Sequence, residues 1–312
     1  MGHSLKSKYV FVGGTGRCGT NLLRELLSNH DEVASLHFEH RFLIDPDGIV
    51  DFLNTYHNSW SPFIADTRLK RLSTFLYRLT KAGSNNAKYQ DWELEKWFPG
   101  FEKEVITLLD RLIDFKYAGT WPGISQQDRD GTIWYATPSK KESLTETLGG
   151  FSRAVINKFL ASKGKEVYVE DNTWNIMFAP EISELFPNAI FIHMYRDPRD
   201  VILSFMEQRW CPNQLDQATR FFMDISQKNW TNAAGLSEDR LINVKYEDLL
   251  AETESVTKRI CKITGLSHPF EHDIQIDENN VGKFRLKMSA DQRTYLDTQL
   301  GTLIEELGYE RA

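Results

Sequence analysis

Four glycines fall within seven residues at Gly13-Gly14-Thr15-Gly16-Arg17-Cys18-Gly19, and Thr20-Asn21 follow. An apolar run, Tyr9-Val10-Phe11-Val12, precedes them, and Leu22, Leu23, Leu26 and Leu27 recur behind them at helical spacing. Glycines let a chain turn tightly and approach a ligand, and a helix start offers unpaired N–H groups and a positive dipole end. The chemistry implied is anion binding. Two known frames compete for it. Gly14, Gly16 and Gly19 match G-x-G-x-x-G, and Glu39 lies 20 residues beyond Gly19, as a dinucleotide-binding turn requires. Against that reading, Leu23 stands where close packing needs a small residue, and Arg17 and Cys18 crowd the loop. Gly14 to Gly19 also supplies the outer frame of a triphosphate loop, but Thr20 replaces the lysine that would partner the β- and γ-phosphates. ATP chemistry is disfavoured, and the loop's cation is Arg17.

A second anion-binding constellation follows the most apolar run of the chain, at His193-Met194-Tyr195-Arg196-Asp197-Pro198-Arg199-Asp200. Asp197 suits an N-cap and Pro198 the first helical position. Ser204, seven residues past Asp197, falls two turns along nearly the same face. An arginine at a strand end and a serine on that face can grip one phosphate, the guanidinium in bidentate fashion. Read singly, Arg196 and Ser204 are also ordinary cap or surface residues. For proton transfer the candidates here are His37 and Glu39. In an extended segment His37, Glu39 and Arg41 share a face, and an imidazole titrates near neutrality. The alternative for this segment is an exposed, charge-paired loop. Cys18, Cys211 and Cys261 are too few and too widely spaced for a disulfide framework or a zinc site. No metal-ligand cluster is expected, and a reducing cytoplasm is the expected compartment.

These residues need a scaffold that brings loops from distant parts of the chain to one edge. Strand-like runs at 33–36, 167–169, 189–195 and 241–244 alternate with helical stretches at 179–186, from Pro198, at 215–234 and at 249–264. Such alternation predicts an α/β fold, a parallel β-sheet flanked by helices. Residues from about 45 to 164 differ in texture. They carry five of the eight tryptophans among amphipathic helical stretches and read as a helical, aromatic-rich insertion covering an acceptor pocket. No repeat or long linker interrupts the 312 residues, so one domain spanning 1–312 is expected. With 37 basic and 44 acidic residues the net charge is −7, which disfavours a nucleic-acid partner and a polyanionic glycan acceptor. No apolar run approaches the 18 residues of a membrane span.

Taken together, the motifs resemble those of sulfotransferases that use 3′-phosphoadenosine 5′-phosphosulfate (PAPS). The matching stretches are Gly14 to Thr20, Arg196-Asp197-Pro198-Arg199-Asp200 with Ser204, Lys245-Tyr246-Glu247-Asp248-Leu249-Leu250 and, more loosely, Val281-Gly282-Lys283-Phe284-Arg285. They occur in that family's order and bracket most of the chain. An arginine at position 17 is closer to the tyrosylprotein and bacterial branches than to the cytosolic enzymes. The resemblance implies a P-loop-like three-layer sandwich that uses PAPS, releases 3′-phosphoadenosine 5′-phosphate (PAP) and needs no metal. In such a site the loop Gly14-Thr15-Gly16-Arg17-Cys18-Gly19-Thr20-Asn21 would hold the 5′-phosphosulfate, with the Thr20 hydroxyl helping. Arg17 would neutralise the bridging oxygen, and Arg196 and Ser204 would hold the 3′-phosphate. Tyr246 would pack near the adenine, or be a core tyrosine. Lys283 and Arg285 would close over the 3′-phosphate, or form a solvated basic run.

By the same resemblance Glu39, two residues before Arg41, is the expected base, with His37 next. Many relatives carry a catalytic lysine shortly after the third strand, about where this chain has Asp171. Arg17 alone, or a cation from the insertion such as Arg68, Lys70 or Arg71, would then serve the leaving group. Alternatively Asp171 contacts the acceptor or is itself the base. The expected acceptor is the hydroxyl or amine of a small metabolite, with a peptide tyrosine second. Two other readings stay open. One is an NAD(P)-dependent oxidoreductase built on Gly14, Gly16, Gly19 and Glu39; the other is a nucleotide-binding protein without turnover.

Overall fold

Val10 and Val12 alternate with Phe11 along the first strand, and both sides of that alternation are fully buried. A strand buried on both faces belongs inside a sheet covered on both sides. The computed structural model describes residues 8–80, 92–123, 131–267 and 280–311. In chain order the elements begin with β1 (Lys8–Gly14), α1 (Thr20–Ser28) and β2 (Val33–Ser35). A largely helical stretch follows: α2 (Ile49–Asn58), α3 (Pro62–Thr80), α4 (Leu94–Trp97), α5 (Phe101–Leu112), β3 (Phe115–Ala118), β4 (Thr132–Tyr135) and α6 (Lys141–Lys163). Alternation then resumes with β5 (Val167–Glu170), α7 (Ala179–Leu185), β6 (Ala189–Tyr195), α8 (Pro198–Met206), α9 (Leu215–Ala233) and β7 (Leu241–Lys245). The chain closes with α10 (Tyr246–Ala251), α11 (Thr253–Thr264), α12 (Lys283–Lys287) and α13 (Ala290–Glu306).

The chain forms two compact units. One comprises Lys8–His37, Val167–Pro180 and Asn188–Ala312; the other comprises Phe38–Glu166 and Glu181–Pro187. The first contains a five-stranded sheet of order β2-β5-β1-β6-β7, with every neighbouring pair parallel. Val10, Val12, Val169, Ile192 and Val244 face a layer made by Leu23, Leu26 and Leu27 of α1 and Val256 and Ile260 of α11. On the opposite face Phe11 stacks on Phe191 at 5.9 Å, and Trp230 of α9 packs edge-on against His193 at 4.5 Å. The fold is therefore α/β in three layers. A second apolar cluster joins α8, α9, α12 and α13 through Val201, Ile202, Phe205, Phe222, Phe284 and Leu300.

Connections leave β1 towards β2 on one side and β6 towards β7 on the other, so the carboxyl ends of β1 and β6 flank the point where the strand order reverses. Open α/β sheets bind ligands at such a point. The loop at 14–20 and the segment at 196–198 both start there.

Within the other unit the helices include an antiparallel hairpin, β3 with β4, that helical periodicity did not predict. Its tryptophans are tied to their own unit. Trp60 donates to the Ala136 carbonyl, Trp92 to the Glu39 carbonyl and Trp121 to the Asp66 carboxylate. The helix expected over 249–264 is broken at Glu252, which leaves helical dihedrals (φ −132°, ψ 43°) and divides α10 from α11.

Candidate functional site

The glycine loop is shaped from inside. Gly14 donates its N–H to the Thr173 carbonyl at 3.1 Å, and a Cβ on it would lie 2.4 Å from the Met194 carbonyl oxygen. The Thr15 hydroxyl donates to the Gly16 carbonyl at 3.1 Å. Cys18 is fully buried in the sheet core, where burial pushes its thiol above the usual range against a lowering hydrogen bond from Thr15. Cys18 therefore supports the loop and is no nucleophile. Arg17 and Asn21 are exposed, and Arg17 is held in the left-handed region at φ 57°. Gly19, at φ 97°, caps α1 without any side-chain hydrogen bond, and buried Thr20 opens the helix. The first N–H groups of α1 thus have no capping side chain. A free helix start of this kind suits an anion.

The start of α8 is built in the opposite way. Asp197 accepts the Arg199 N–H at 2.9 Å and closes the helix end. Arg199 is itself fully buried, ion-paired to Asp197 at 2.8 Å and to Asp297 at 3.2 Å, so it anchors α13 and faces no ligand. Arg196 differs. Its guanidinium lies 4.9 Å from the centre of the Tyr246 ring, donates to the Arg17 carbonyl at 3.1 Å and to the Asn280 carbonyl, and pairs with Asp200 at 3.2 Å. Ser204 accepts a hydrogen bond from Arg17 Nε at 3.0 Å. Lys283 donates to the Asn280 side chain at 2.6 Å. Arg17, Arg196, Ser204 and Lys283, spread over 267 positions of sequence (283 − 17 + 1), are thereby laced into one group. Tyr246 is buried against Gly19, where a Cβ would fall 2.4 Å from its ring. Arg285 is exposed over the Phe284 ring at 5.2 Å and is outside this lacing.

The three proton-transfer candidates stand in different settings. Asp171 is buried and receives Arg24 Nε at 3.0 Å, an ion pair joining the end of β5 to α1. His37 is exposed just past β2. Glu39 belongs to the other unit, where its carboxylate meets Arg41 at 2.6 Å. The segment 37–41 is not a strand, and Arg41 sits at φ 66°. Arg68, Lys70 and Arg71 pair locally with Asp51, Asp66 and Asp47.

Several residues that matter here escaped the sequence reading. Asp200 is nearly inaccessible and accepts the N–H groups of Gly282 at 2.7 Å and Phe284 at 2.9 Å, which fixes the C-terminal loop beside Arg196. Its only signal was its place in the Arg196-Asp197-Pro198-Arg199-Asp200 run. Asn175 donates to the Val12 carbonyl at 2.9 Å and to Glu170, locking the segment after β5 to β1. Arg24, the partner of Asp171, had no signal beyond its place beside the leucine stripe.

Comparison with known proteins identifies the family. The model of the Sulfotransferase family matches residues 10–271, and the chain belongs to that family. Among characterised relatives, the omega-hydroxy-beta-dihydromenaquinone-9 sulfotransferase Stf3 of Mycobacterium bovis is 24% identical over 145 residues. The Stf3 of Mycobacterium tuberculosis matches equally. The match covers 41% of this chain and 37% of theirs, little more than a third of the relatives' length. Among solved structures, the sulfotransferase domain of the Synechococcus PCC 7002 olefin synthase has the same fold, with a TM-score of 0.51 at 16% identity over 99% of this chain and 98% of that one. Family membership decides between the readings of the glycine loop in favour of the sulfotransferase and against the nicotinamide oxidoreductase.

Proposed function

We propose that the protein transfers a sulfuryl group from PAPS to a hydroxyl, or an amine, of a small-molecule acceptor. The observation that carries this reading is the uncapped start of α1 next to the group formed by Arg17, Arg196, Ser204 and Lys283. These residues offer donors and positive charge for two separate anionic groups, as a 5′-phosphosulfate and a 3′-phosphate require. The α1 N–H groups and Thr20 would hold the first, and Arg196, Ser204 and Lys283 the second. Tyr246, packed on Gly19 under Arg196, would border the adenine. When bound, PAPS supplies an activated sulfur whose bond to the 5′-phosphate oxygen breaks as the bond to the acceptor oxygen forms.

Arg17 neutralises the charge that develops on the departing phosphate. It reaches that task by leaving Ser204, whose hydroxyl then turns to the 3′-phosphate. Glu39 takes the acceptor's proton, with His37 as the alternative. Asp171 is assigned to holding Arg24 and not to proton transfer, because its carboxylate is buried in that pair. Arg68, Lys70 and Arg71 are engaged with aspartates, so the leaving group is assigned to Arg17. The insertion at about 45–164 contributes to acceptor binding in this reading. The name of the mycobacterial relatives supports a small hydroxylated acceptor over a peptide tyrosine.

Arg196→Ala tests the reading. Calorimetric titration is expected to show PAP affinity falling at least tenfold more than adenosine 5′-phosphate affinity. Equal losses for the two nucleotides would overturn the 3′-phosphate role. A wild-type protein that binds PAP yet turns over no acceptor would instead support a nucleotide-binding protein without catalysis.

A further inference from the structure

The phosphate loop has two flanks of unlike chemistry. At its Gly19 end lie the Tyr246 ring, Arg196 and the C-terminal loop, dense in charge and hydrogen bonds. At its Gly16 end lies an aromatic wall. A Cβ on Gly16 would fall 3.1 Å from Cη2 of Trp210, 3.2 Å from the Thr173 methyl and 3.8 Å from the Phe205 ring. Trp210 follows α8 in a short turn, with Gln208 N–H bonded to the Phe205 carbonyl at 2.8 Å. The turn folds the indole back over the helix end. Three rings then fix it: Trp174 at 6.2 Å and 88°, Phe205 at 5.8 Å and Phe221 at 6.5 Å. Despite these supports, Trp210 is 50% exposed.

A tryptophan held by three aromatic neighbours has already given up its rotational freedom, yet half of its apolar surface faces water. Such a surface is prepared for a contact that the protein alone does not make. Resting on the sulfuryl-transfer reading, which assigns the Gly19 flank to the nucleoside, we infer that Trp210 is the specificity-determining wall for the acceptor, and that the acceptor carries its hydroxyl on a flat, apolar ring. Aromatic rings gain from edge-to-face and offset contact with an indole. The three side chains over Gly16, those of Trp210, Thr173 and Phe205, carry no charge with which to hold an anionic sugar. Thr173 is the sole hydroxyl among the three side chains over Gly16. The site therefore selects by ring shape and apolar contact, with Arg17 one residue from Gly16 on the reacting side.

The test uses the full chain and 2-naphthol as probe. PAP is titrated first, then 2-naphthol is titrated into the PAP-saturated protein, with methyl glucoside in parallel. For Trp210→Ala the naphthol affinity is expected to fall at least tenfold while PAP affinity stays within twofold. Trp210→Phe is expected to recover naphthol binding to within about threefold. A parallel loss of PAP in Trp210→Ala would make the indole a nucleotide contact and overturn the inference. So would methyl glucoside binding as tightly as naphthol, or a wild-type protein that binds PAP but not naphthol. Failure of the wild type to bind PAP would instead remove the sulfuryl-transfer reading, so the two failures are told apart by the first titration.

Discussion

Two carboxylates present the same functional group in opposite environments. Asp171 follows the strand β5 in the sheet unit, with its side chain 5% exposed and bonded to Arg24. Glu39 lies in the helical unit, with its side chain 25% exposed and paired to Arg41. A buried ion pair gains little net stability, yet removing one partner leaves a charge stranded away from water. A partly exposed pair is screened more than a buried one. The contrast separates a carboxylate held in a buried ion pair from one that keeps a quarter of its side chain in solvent. The resemblance to sulfotransferases nominated both.

The sharpest way to break this comparison is Glu39→Gln. A general base contributes on the order of 100- to 10,000-fold, so turnover is expected to fall about a thousandfold with PAP affinity unchanged. Steady-state assays beside nucleotide titration would check it. Retained turnover would move the proton transfer to His37 or Asp171 and invert the assignment.

The next effect belongs to the buried partner. Asp171→Asn is expected to cost about 3 kcal/mol of folding stability, because buried Arg24 keeps its charge with only the exposed Glu25 left as counter-ion. Turnover per folded molecule should stay within about threefold. Urea denaturation combined with active-fraction assays reads both quantities. The double replacement Arg24→Met with Asp171→Leu should recover most of that stability, since an apolar pair of similar volume often replaces a buried ion pair without loss. A collapse of turnover with stability intact would make Asp171 the catalytic group.

Much of the sheet unit was legible because its signals are local. β6 runs over the full apolar stretch from Ala189 to Tyr195, and Asp197-Pro198 starts α8 as their types dictate. The glycine loop could be read because turn geometry restricts which residues fit: Gly14 meets the Met194 carbonyl and Gly19 the Tyr246 ring. What stayed hidden depends on partners far along the chain. Nothing near Asp171 announces Arg24, 147 positions away. Nothing near Asp200 announces the Gly282 and Phe284 N–H groups more than 80 residues on. The β3–β4 hairpin was missed because Phe115 to Ala118 lie wholly exposed and carry no alternation of burial to betray a strand. Trp210 looked like any other tryptophan, since exposure and neighbouring rings are properties of the fold.

The smallest expected effect concerns a buried group that is kept neutral, as a control on the buried pair. His193 sits on β6 at 1% exposure, with Nδ1 3.1 Å from the Asn243 side-chain oxygen. Burial lowers its pKa from 6.5 to about 4, against the opposing hydrogen bond to Asn243. The unfolded chain therefore takes up this proton first as the pH falls. Stability is complete above about pH 6.5 and declines between there and about pH 4, by an amount on the order of 3 kcal/mol if the full shift acts. In His193→Asn the absolute stability changes for packing reasons, so the informative quantity is the slope of stability against pH. That slope is expected to flatten by up to one proton across this window. An unchanged slope in His193→Asn would mean that the imidazole is already protonated in the folded sheet. The sheet would then hold a second buried charge, and burial alone would no longer distinguish Asp171 from Glu39.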